Sequence, residues 1–280
     1  MIDRLAVLAQ FLMPKKGLTI FAGWVASAQA GMWTIKLIEW FVKRYNVNMS
    51  EALNPDITSY LSFNDFFTRA LKADARPLSV AQWICPVDGA ISQFGAILED
   101  QIFQAKNHSY TTTSLVGGDE SLARLFRNGS FATLYLSPSD YHRVHMPIKG
   151  KLKRMIYVPG ELFSVNPKTA EWVPGLFARN ERVVCEFITP LGPFVMILVG
   201  ATIVGSMSLD WHGVVNAKRN GEILQWLYED KEIVLNQGQE MGRFLLGSTV
   251  VLLFPSRQIN FQPHWEPKGL VHWGQAMSVI

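Results

Sequence analysis

The spacing of apolar residues divides the chain into a helical beginning and a β-rich remainder. Over residues 1–12, Ile2, Leu5, Leu8 or Ala9, and Leu12 recur at helical intervals, with Asp3, Arg4 and Gln10 between them. Lys15 and Lys16 then precede nineteen uncharged residues, 17–35. That run is long enough to span a bilayer, but three glycines, Gln29 and two threonines make it a poor spanning segment. From Trp33 to Arg44 the pattern is amphipathic: Trp33, Leu37, Trp40 and Phe41 recur at three and four, while Lys36, Glu39 and Lys43 line another side. Residues 45–58 form a polar connector. Ser62-Phe63-Asn64-Asp65 predicts a capping box opening a helix, with Phe63, Phe66, Phe67, Ala70 and Leu71 on its apolar face.

From Trp83 onward short apolar runs predict strands over 90–98, 131–136, 151–158, 183–188, 194–204 and 244–254, with one short helix over 120–126. Parallel strand–helix–strand alternation is absent. The expected fold class is α+β, with amphipathic N-terminal helices followed by a mostly antiparallel, β-rich domain that carries the chemistry. The division falls at 1–58 and 59–280. The last strand contains an oddity, because Gly247-Ser248-Thr249 interrupts a run otherwise made of Phe, Leu and Val. Glycine inside a strand marks a bulge or a close approach, and buried hydroxyls need partners.

With 280 residues, 49% hydrophobic and 18% charged, the chain can bury a large core. The net charge of +3 is unevenly placed. Residues 1–44 hold six cations (Arg4, Lys15, Lys16, Lys36, Lys43, Arg44) against two anions (Asp3, Glu39), leaving the remainder slightly acidic. A basic, aromatic, amphipathic N-terminus predicts an anchor lying in an anionic membrane surface. Two readings compete with it. One is a helical subdomain packed on the protein's own core; the other is a signal peptide, imitated by Lys15-Lys16, the apolar 18–25 and Ala28-Gln29-Ala30. An amphipathic stretch on each side of the supposed cleavage point argues against export. Nucleic acid is disfavoured, since no Lys/Arg stripe with interleaved aromatics occurs elsewhere. Cys85 and Cys185 have no paired spacing and read as free thiols.

Candidate chemistry begins with His142 and His145 in Asp140–Pro147. Three apart on a strand they point to opposite faces, and no further ligand spacing appears, so no metal site is expected. Val87-Asp88-Gly89 is most simply a turn, and isolated serines are rarely nucleophiles. Taken together, Asp88, His145 and Ser248 supply the carboxylate, imidazole and hydroxyl of a relay in which Asp orients His and His activates Ser. No G-x-S-x-G elbow surrounds Ser248.

The chain resembles the bacterial phosphatidylserine decarboxylases, a pyruvoyl-dependent family. The resemblance runs through Phe66-Phe67-Thr68-Arg69, LKADARP (71–77), PVDG (86–89), DYHRVHMP (140–147), GELFSVN (160–166), VGATIVGS (199–206) and LGST (246–249). It implies that Ser248 attacks the carbonyl of Gly247, cutting the chain into 1–247 and 248–280 and leaving Ser248 as a covalent pyruvoyl group. That group forms a Schiff base with the substrate amine and accepts the electron pair released with carbon dioxide. The resemblance further implies that His145 is the base of maturation, that Asp88 orients it, and that His142, with His145 as rival, protonates the product. It implies a phospholipid substrate, a homodimer of processed chain pairs and peripheral attachment to the cytoplasmic side of the cell membrane.

Two other classes fit the same residues. A membrane serine hydrolase using Asp88, His145 and Ser248 would keep an intact chain and react with fluorophosphonates. A β-rich membrane-binding module would stay whole and carry no carbonyl.

Overall fold

The computed structural model describes residues 7, 10, 11, 13–202, 206–215, 221–245, 248–256 and 259–279. Most of the stretch 1–12, Val204 at the end of the fifth predicted strand, and Gly247 lie outside them. Two helices, α1 (Lys15–Ser27) and α2 (Met32–Tyr45), replace the long uncharged run. They part where Ala28 is extended and Gly31 adopts a φ of +56°, a region that favours glycine. Among the described residues no helix is long and apolar enough to cross a membrane. α2 ends at Asn46 in the left-handed conformation, and Lys43 and Arg44 in its last turn oppose the negative end of the helix dipole. The next helix, α3 (Phe63–Phe67), opens with the predicted capping box. Ser62 accepts the Asp65 N–H at 3.1 Å and Asp65 accepts the Ser62 N–H at 3.0 Å.

The helices bury one side against the sheet. Ile38 and Phe41 of α2 join Phe63, Phe66 and Phe67 in a cluster, with the Phe41 and Phe63 rings 5.0 Å apart. The opposite side of the helices stays bare: Phe21, Trp24, Trp33 and Trp40 are all more than half exposed. Thus the side predicted from Trp33, Leu37, Trp40 and Phe41 is split, with Phe41 inward and both tryptophans outward.

Beyond the helices come β1 (Gly89–Ala96), β2 (Gln101–Ala105), β3 (His108–Thr111), β4 (Ser130–Leu136), β5 (Arg143–His145), β6 (Gly150–Val158), β7 (Arg182–Thr189) and β8 (Gly192–Val199). They are followed by β9 (Met207–Leu209), β10 (Gly213–Val214), β11 (Leu224–Leu227), β12 (Val234–Leu235), β13 (Glu240–Phe244), β14 (Ser248–Phe254) and β15 (Leu270–Val271). A nine-stranded sheet runs β11-β6-β7-β8-β14-β4-β1-β15, with β12 also on β6. A four-stranded sheet runs β10-β9-β13-β5, and β2 pairs with β3. All ladders between these strands are antiparallel, as the α+β reading requires. Four short helices lie between them: α4 (Thr112–Leu115), α5 (Glu120–Arg124), α6 (Pro167–Trp172) and α7 (Leu176–Arg179). Only α5 was legible, since helices of one turn carry no period.

The large sheet is covered on both faces, which is why its central strands read as unbroken apolar runs. On β14, Val251 and Leu253 enter the core shared with the helices, while Val250, Leu252 and Phe254 enter the core on the other side. The single strand expected over 244–254 is in fact two. β13 belongs to the small sheet and β14 to the large one, so the chain changes sheets between Leu245 and Ser248. Phe244 bonds through its N–H to the His142 carbonyl and Leu245 to that of Ser206. From Ser248 onward the partner is β4, with Ser248 opposite Leu136. The Gly-Ser-Thr interruption is a change of partner between two strands.

Close approach also fixes the start of β1. A Cβ on Gly89 would sit 2.3 Å from the Tyr135 carbonyl oxygen of β4. Gly89→Ala should therefore cost about 1–3 kcal/mol through forced separation of the strands, measured as a lower urea midpoint. An unchanged midpoint would mean that the strands part there freely.

Candidate active site

Asp88 ends the turn before β1 and is buried. Three groups converge on its carboxylate. Arg76 donates from Nη2 to Oδ2 at 2.6 Å and from Nε to Oδ2 and Oδ1 at 3.0 and 3.2 Å. The Trp273 backbone N–H donates to Oδ1 at 2.9 Å, and His272 Nδ1 lies 3.4 Å from Oδ2. Burial alone would raise the Asp88 pKa, but the hydrogen bonds from His272 and Arg76 bring it below the usual carboxylate value. Asp88 is thus ionised, and it pushes the pKa of His272 up in return. Arg76 also holds Glu51 at 2.8 Å, tying the polar connector to the same point.

His145, at the end of β5, is buried as well. Its Nδ1 lies 2.9 Å from the Gly238 carbonyl, which can only accept, so the proton sits on Nδ1. The lone pair is then on Nε2, which accepts from the Tyr141 hydroxyl at 3.1 Å. The Trp273 indole lies flat on the imidazole, with centroids 4.0 Å apart and planes 4° from parallel. Burial pushes the His145 pKa down and keeps the ring neutral.

His142 is fully buried against Phe67, with ring centroids 4.0 Å apart. Its Nδ1 donates to the Asp140 carbonyl at 2.8 Å, leaving a bare lone pair on Nε2 that has no partner. Burial pushes its pKa down to about 3. Ser248, the first residue of β14, is also buried, and among the described residues its Oγ has no hydrogen-bond partner; nor does that of Thr249. Two antiparallel chain segments bring these groups to one end of the sheets. Segment 136–142 leaves β4 opposite Ser248, and its last carbonyl takes the Phe244 N–H just before the chain enters β14.

The hydrogen bonds of the described residues do not draw either link of the direct relay expected from the sequence. Among the described residues, Asp88 makes no hydrogen bond to His145, because Arg76, His272 and Trp273 occupy it. Nor does His145 bond to Ser248, because Gly238 and Tyr141 take its two nitrogens. The tautomer assigned to Asp88's control is set instead by the Gly238 carbonyl. Asp88 reaches His145 through Trp273, whose N–H binds the carboxylate and whose ring covers the imidazole. Sequence reading missed Arg76, Tyr141, Gly238, His272 and Trp273. Arg76 and Tyr141 stood within quoted motifs without a role.

A buried hydroxyl where the chain changes sheets, with two neutral imidazoles on the segment 142–145, is the equipment of an enzyme. The family model for phosphatidylserine decarboxylase matches residues 63–278, and a second, described as PSD, matches residues 5–46. Proteins named phosphatidylserine decarboxylase proenzyme are similar over the full length. That of Albidiferax ferrireducens is 64% identical over 278 residues, covering 99% of this chain and 98% of its own. Those of Dechloromonas aromatica and Herminiimonas arsenicoxydans are each 65% identical over 278 residues, covering 99% of this chain and 99% and 95% of theirs. The chain belongs to the phosphatidylserine decarboxylase family.

The stacked tryptophan generates a prediction. Burial disfavours the imidazolium, so removing the cover should move the His145 pKa upward, toward the ordinary histidine value of about 6.5. Trp273→Ala keeps the backbone N–H on Asp88 but strips the ring, whereas Trp273→Phe keeps an aromatic face. Histidine-ring NMR titration should show the Ala variant titrating higher than the wild type and the Phe variant close to it. Equal titration in all three would separate Trp273 from His145.

Proposed function

We propose that this protein is a membrane-associated, self-processing decarboxylase that converts phosphatidylserine to phosphatidylethanolamine. The observation that carries this reading is the buried, unpartnered Ser248 Oγ at the point where the chain changes sheets, in a member of this family. Maturation begins when Ser248 Oγ adds to the Gly247 carbonyl carbon. The peptide C–N bond breaks, the nitrogen takes a proton, and an ester joins the two residues. Loss of the Ser248 Cα proton then breaks the ester C–O bond, releasing the Gly247 carboxylate and leaving a dehydroalanine. Water converts this to a ketone with loss of ammonia.

His145 is the base in this scheme. Its Nε2 lone pair is fixed by the Gly238 carbonyl, and it receives the Ser248 proton either through the Tyr141 hydroxyl or after Tyr141 turns aside. A base so placed contributes about 10²–10⁴ in rate. Asp88 positions it through Trp273. The apolar surroundings of β14, buried on both faces, keep water from the ester.

The resulting pyruvoyl group supplies a ketone that takes up the substrate amine and accepts the electron pair left when carbon dioxide departs. Ser248's buried, free Oγ fits the origin of such a group. His142 serves as a proton carrier. Neutral, with its only N–H committed to Asp140, it can accept at Nε2 the proton that the substrate ammonium must shed, then return it to the carbon that lost carbon dioxide.

Denaturing electrophoresis with mass analysis tests the scheme. The wild type should separate into 1–247 and 248–280, the smaller piece blocked to Edman degradation, while Ser248→Ala stays whole and inactive. An uncut, fully active wild type would falsify self-processing, and an intact chain labelled by fluorophosphonate would favour a serine hydrolase.

The outer side of α1 and α2 supports attachment to a lipid surface. Exposed Phe21, Trp24, Trp33 and Trp40 accompany exposed Lys16, Lys36 and Lys43. Lys15 is excluded from this set, since it is buried, ion-paired with Glu161 at 3.2 Å and lies over the Phe163 ring. Replacing Lys16, Lys36 and Lys43 by glutamine should weaken flotation with anionic liposomes, at roughly 1 kcal/mol per charge at low salt, and leave chain cleavage intact. Equal flotation of variant and wild type would remove the electrostatic part of the anchor.

A further inference from the structure

Arg69 is buried with its guanidinium over the Phe66 ring, 5.4 Å from the centroid, yet its hydrogen-bonding capacity is largely unused. It follows α3, and residues 67–69 run beside 139–143 with three contacts. Phe67 faces the His142 ring, the Thr68 carbonyl accepts from Arg143 Nε at 2.8 Å, and Arg69 Nη2 reaches the Ser139 carbonyl at 3.4 Å. Among the described residues that long contact is the guanidinium's one hydrogen bond. Its Nε has no partner and no carboxylate forms an ion pair with it. The anions that act on it through space are engaged elsewhere: Asp88 and Glu51 with Arg76, and Asp140 with the Ser137 N–H at 2.6 Å.

Other arginines of this fold show what a structural role looks like. Arg182, also buried, donates from Nε, Nη1 and Nη2 to the carbonyls of Leu115, Asn180 and Ser114 at 2.6, 2.8 and 2.6 Å. Arg76 is saturated by Asp88, Glu51 and the Ala75 carbonyl. Arg143 has the Thr68 carbonyl and Glu240. A buried cation with spare donors is costly unless something else satisfies it. The orphaned donors of Arg69 therefore await an anion.

Their position identifies which one. Ser139 stands three residues past Leu136, so within about 11 Å of it, and Leu136 lies directly opposite Ser248. His142 packs on Phe67, two residues before Arg69, and the Arg69 charge helps hold its pKa down. The substrate of the proposed reaction carries an ammonium, a carboxylate and a phosphodiester. The ammonium is repelled. A guanidinium paired with the carboxylate would stabilise a charge that must vanish as carbon dioxide leaves, which favours the ground state over the transition state. The phosphodiester keeps its charge throughout, sits beyond a two-carbon spacer from the amine, and presents paired oxygens to a planar fork of donors.

We infer that Arg69 receives the phosphodiester of the substrate headgroup and so selects phosphate-bearing serine lipids over serine derivatives without phosphate. This rests on the decarboxylase reading above. Neutralising Arg69 on binding has a second effect, because it removes a positive charge from beside His142 as that ring must take up a proton.

The test uses the full, processed protein with short-chain phosphatidylserine and with a serine alkyl ester lacking the phosphate. Arg69→Gln should cleave itself normally, raise KM for the phospholipid by about tenfold or more, change kcat less, and lose the preference for the phosphate-bearing substrate. Glycerophosphoserine should compete with substrate in the wild type and fail to do so in the variant. Arg69→Lys, which keeps the charge without the fork, should fall between them, and it carries the test should Arg69→Gln not fold. A cleaved, active variant with unchanged KM and unchanged preference overturns the assignment, as does inorganic phosphate competing as strongly as glycerophosphoserine. A wild type that neither cleaves nor decarboxylates defeats the underlying reading instead.

Discussion

A carboxylate as deeply buried as Asp88 stays charged only while its partners hold, and those partners come from distant parts of the chain. Arg76 arrives with Glu51 from the connector after the helices, and His272 and Trp273 arrive from the segment beyond β15. Removing one partner of such a buried pair costs far more than the pair itself contributes. The chain is therefore committed to bringing its beginning and its end to the start of β1. Everything at the candidate site hangs from that point. Trp273 is placed by its own N–H on Asp88, its ring then covers His145, and His145 is left neutral with its lone pair aimed away from the Gly238 carbonyl.

The two histidines of DYHRVHMP show how burial assigns chemistry. Both rings have a proton fixed on Nδ1 by a backbone carbonyl, that of Asp140 for His142 and of Gly238 for His145. Both are held neutral by desolvation, so both offer Nε2 as an acceptor. They differ in what faces that nitrogen: the Tyr141 hydroxyl at His145 and, among the described residues, no hydrogen-bonding group at His142. An imidazole with no partner in a dry site is an expensive thing to keep, as are the free hydroxyl of Ser248 and the spare donors of Arg69. Three such deficits along neighbouring chain segments are the mark of a site arranged around chemistry rather than around stability.

Much of this was legible beforehand, and the limits have physical causes. The capping box at Ser62, the amphipathic α2 and the apolar strands over 131–136, 151–158 and 183–188 were readable because each rests on a local period or a local hydrogen bond. The chemistry of Asp88, His145 and Ser248 was suggested by residue type and by resemblance, but their connections were not. A relay drawn from residue types assumes direct contact, whereas Trp273 and Gly238 act through backbone groups that every residue carries. The break between β13 and β14 was hidden for a similar reason. An apolar run on a two-sided sheet looks the same whether or not the chain changes partners within it. Arg69 was quoted in a motif, but only its unfilled hydrogen-bond donors, a tertiary fact, set it apart from Arg182.

The central position of β14 bears on what kind of object the folded protein would become after the proposed cut before Ser248. β14 lies between β8 and β4 in the middle of the large sheet, and its five residues from Val250 to Phe254 are fully enclosed. Before the cut, unfolding and refolding of the whole are unimolecular and indifferent to dilution. After the proposed cut the middle strand would belong to a separate molecule, so reassembly would become a second-order association that weakens as the protein is diluted. The native sheet holds the two pieces together no less firmly, but once lost it does not return on the same terms. Self-cleavage of this kind would make folding a historical event, completed while the chain was whole and preserved afterwards by the slowness of opening the sheet.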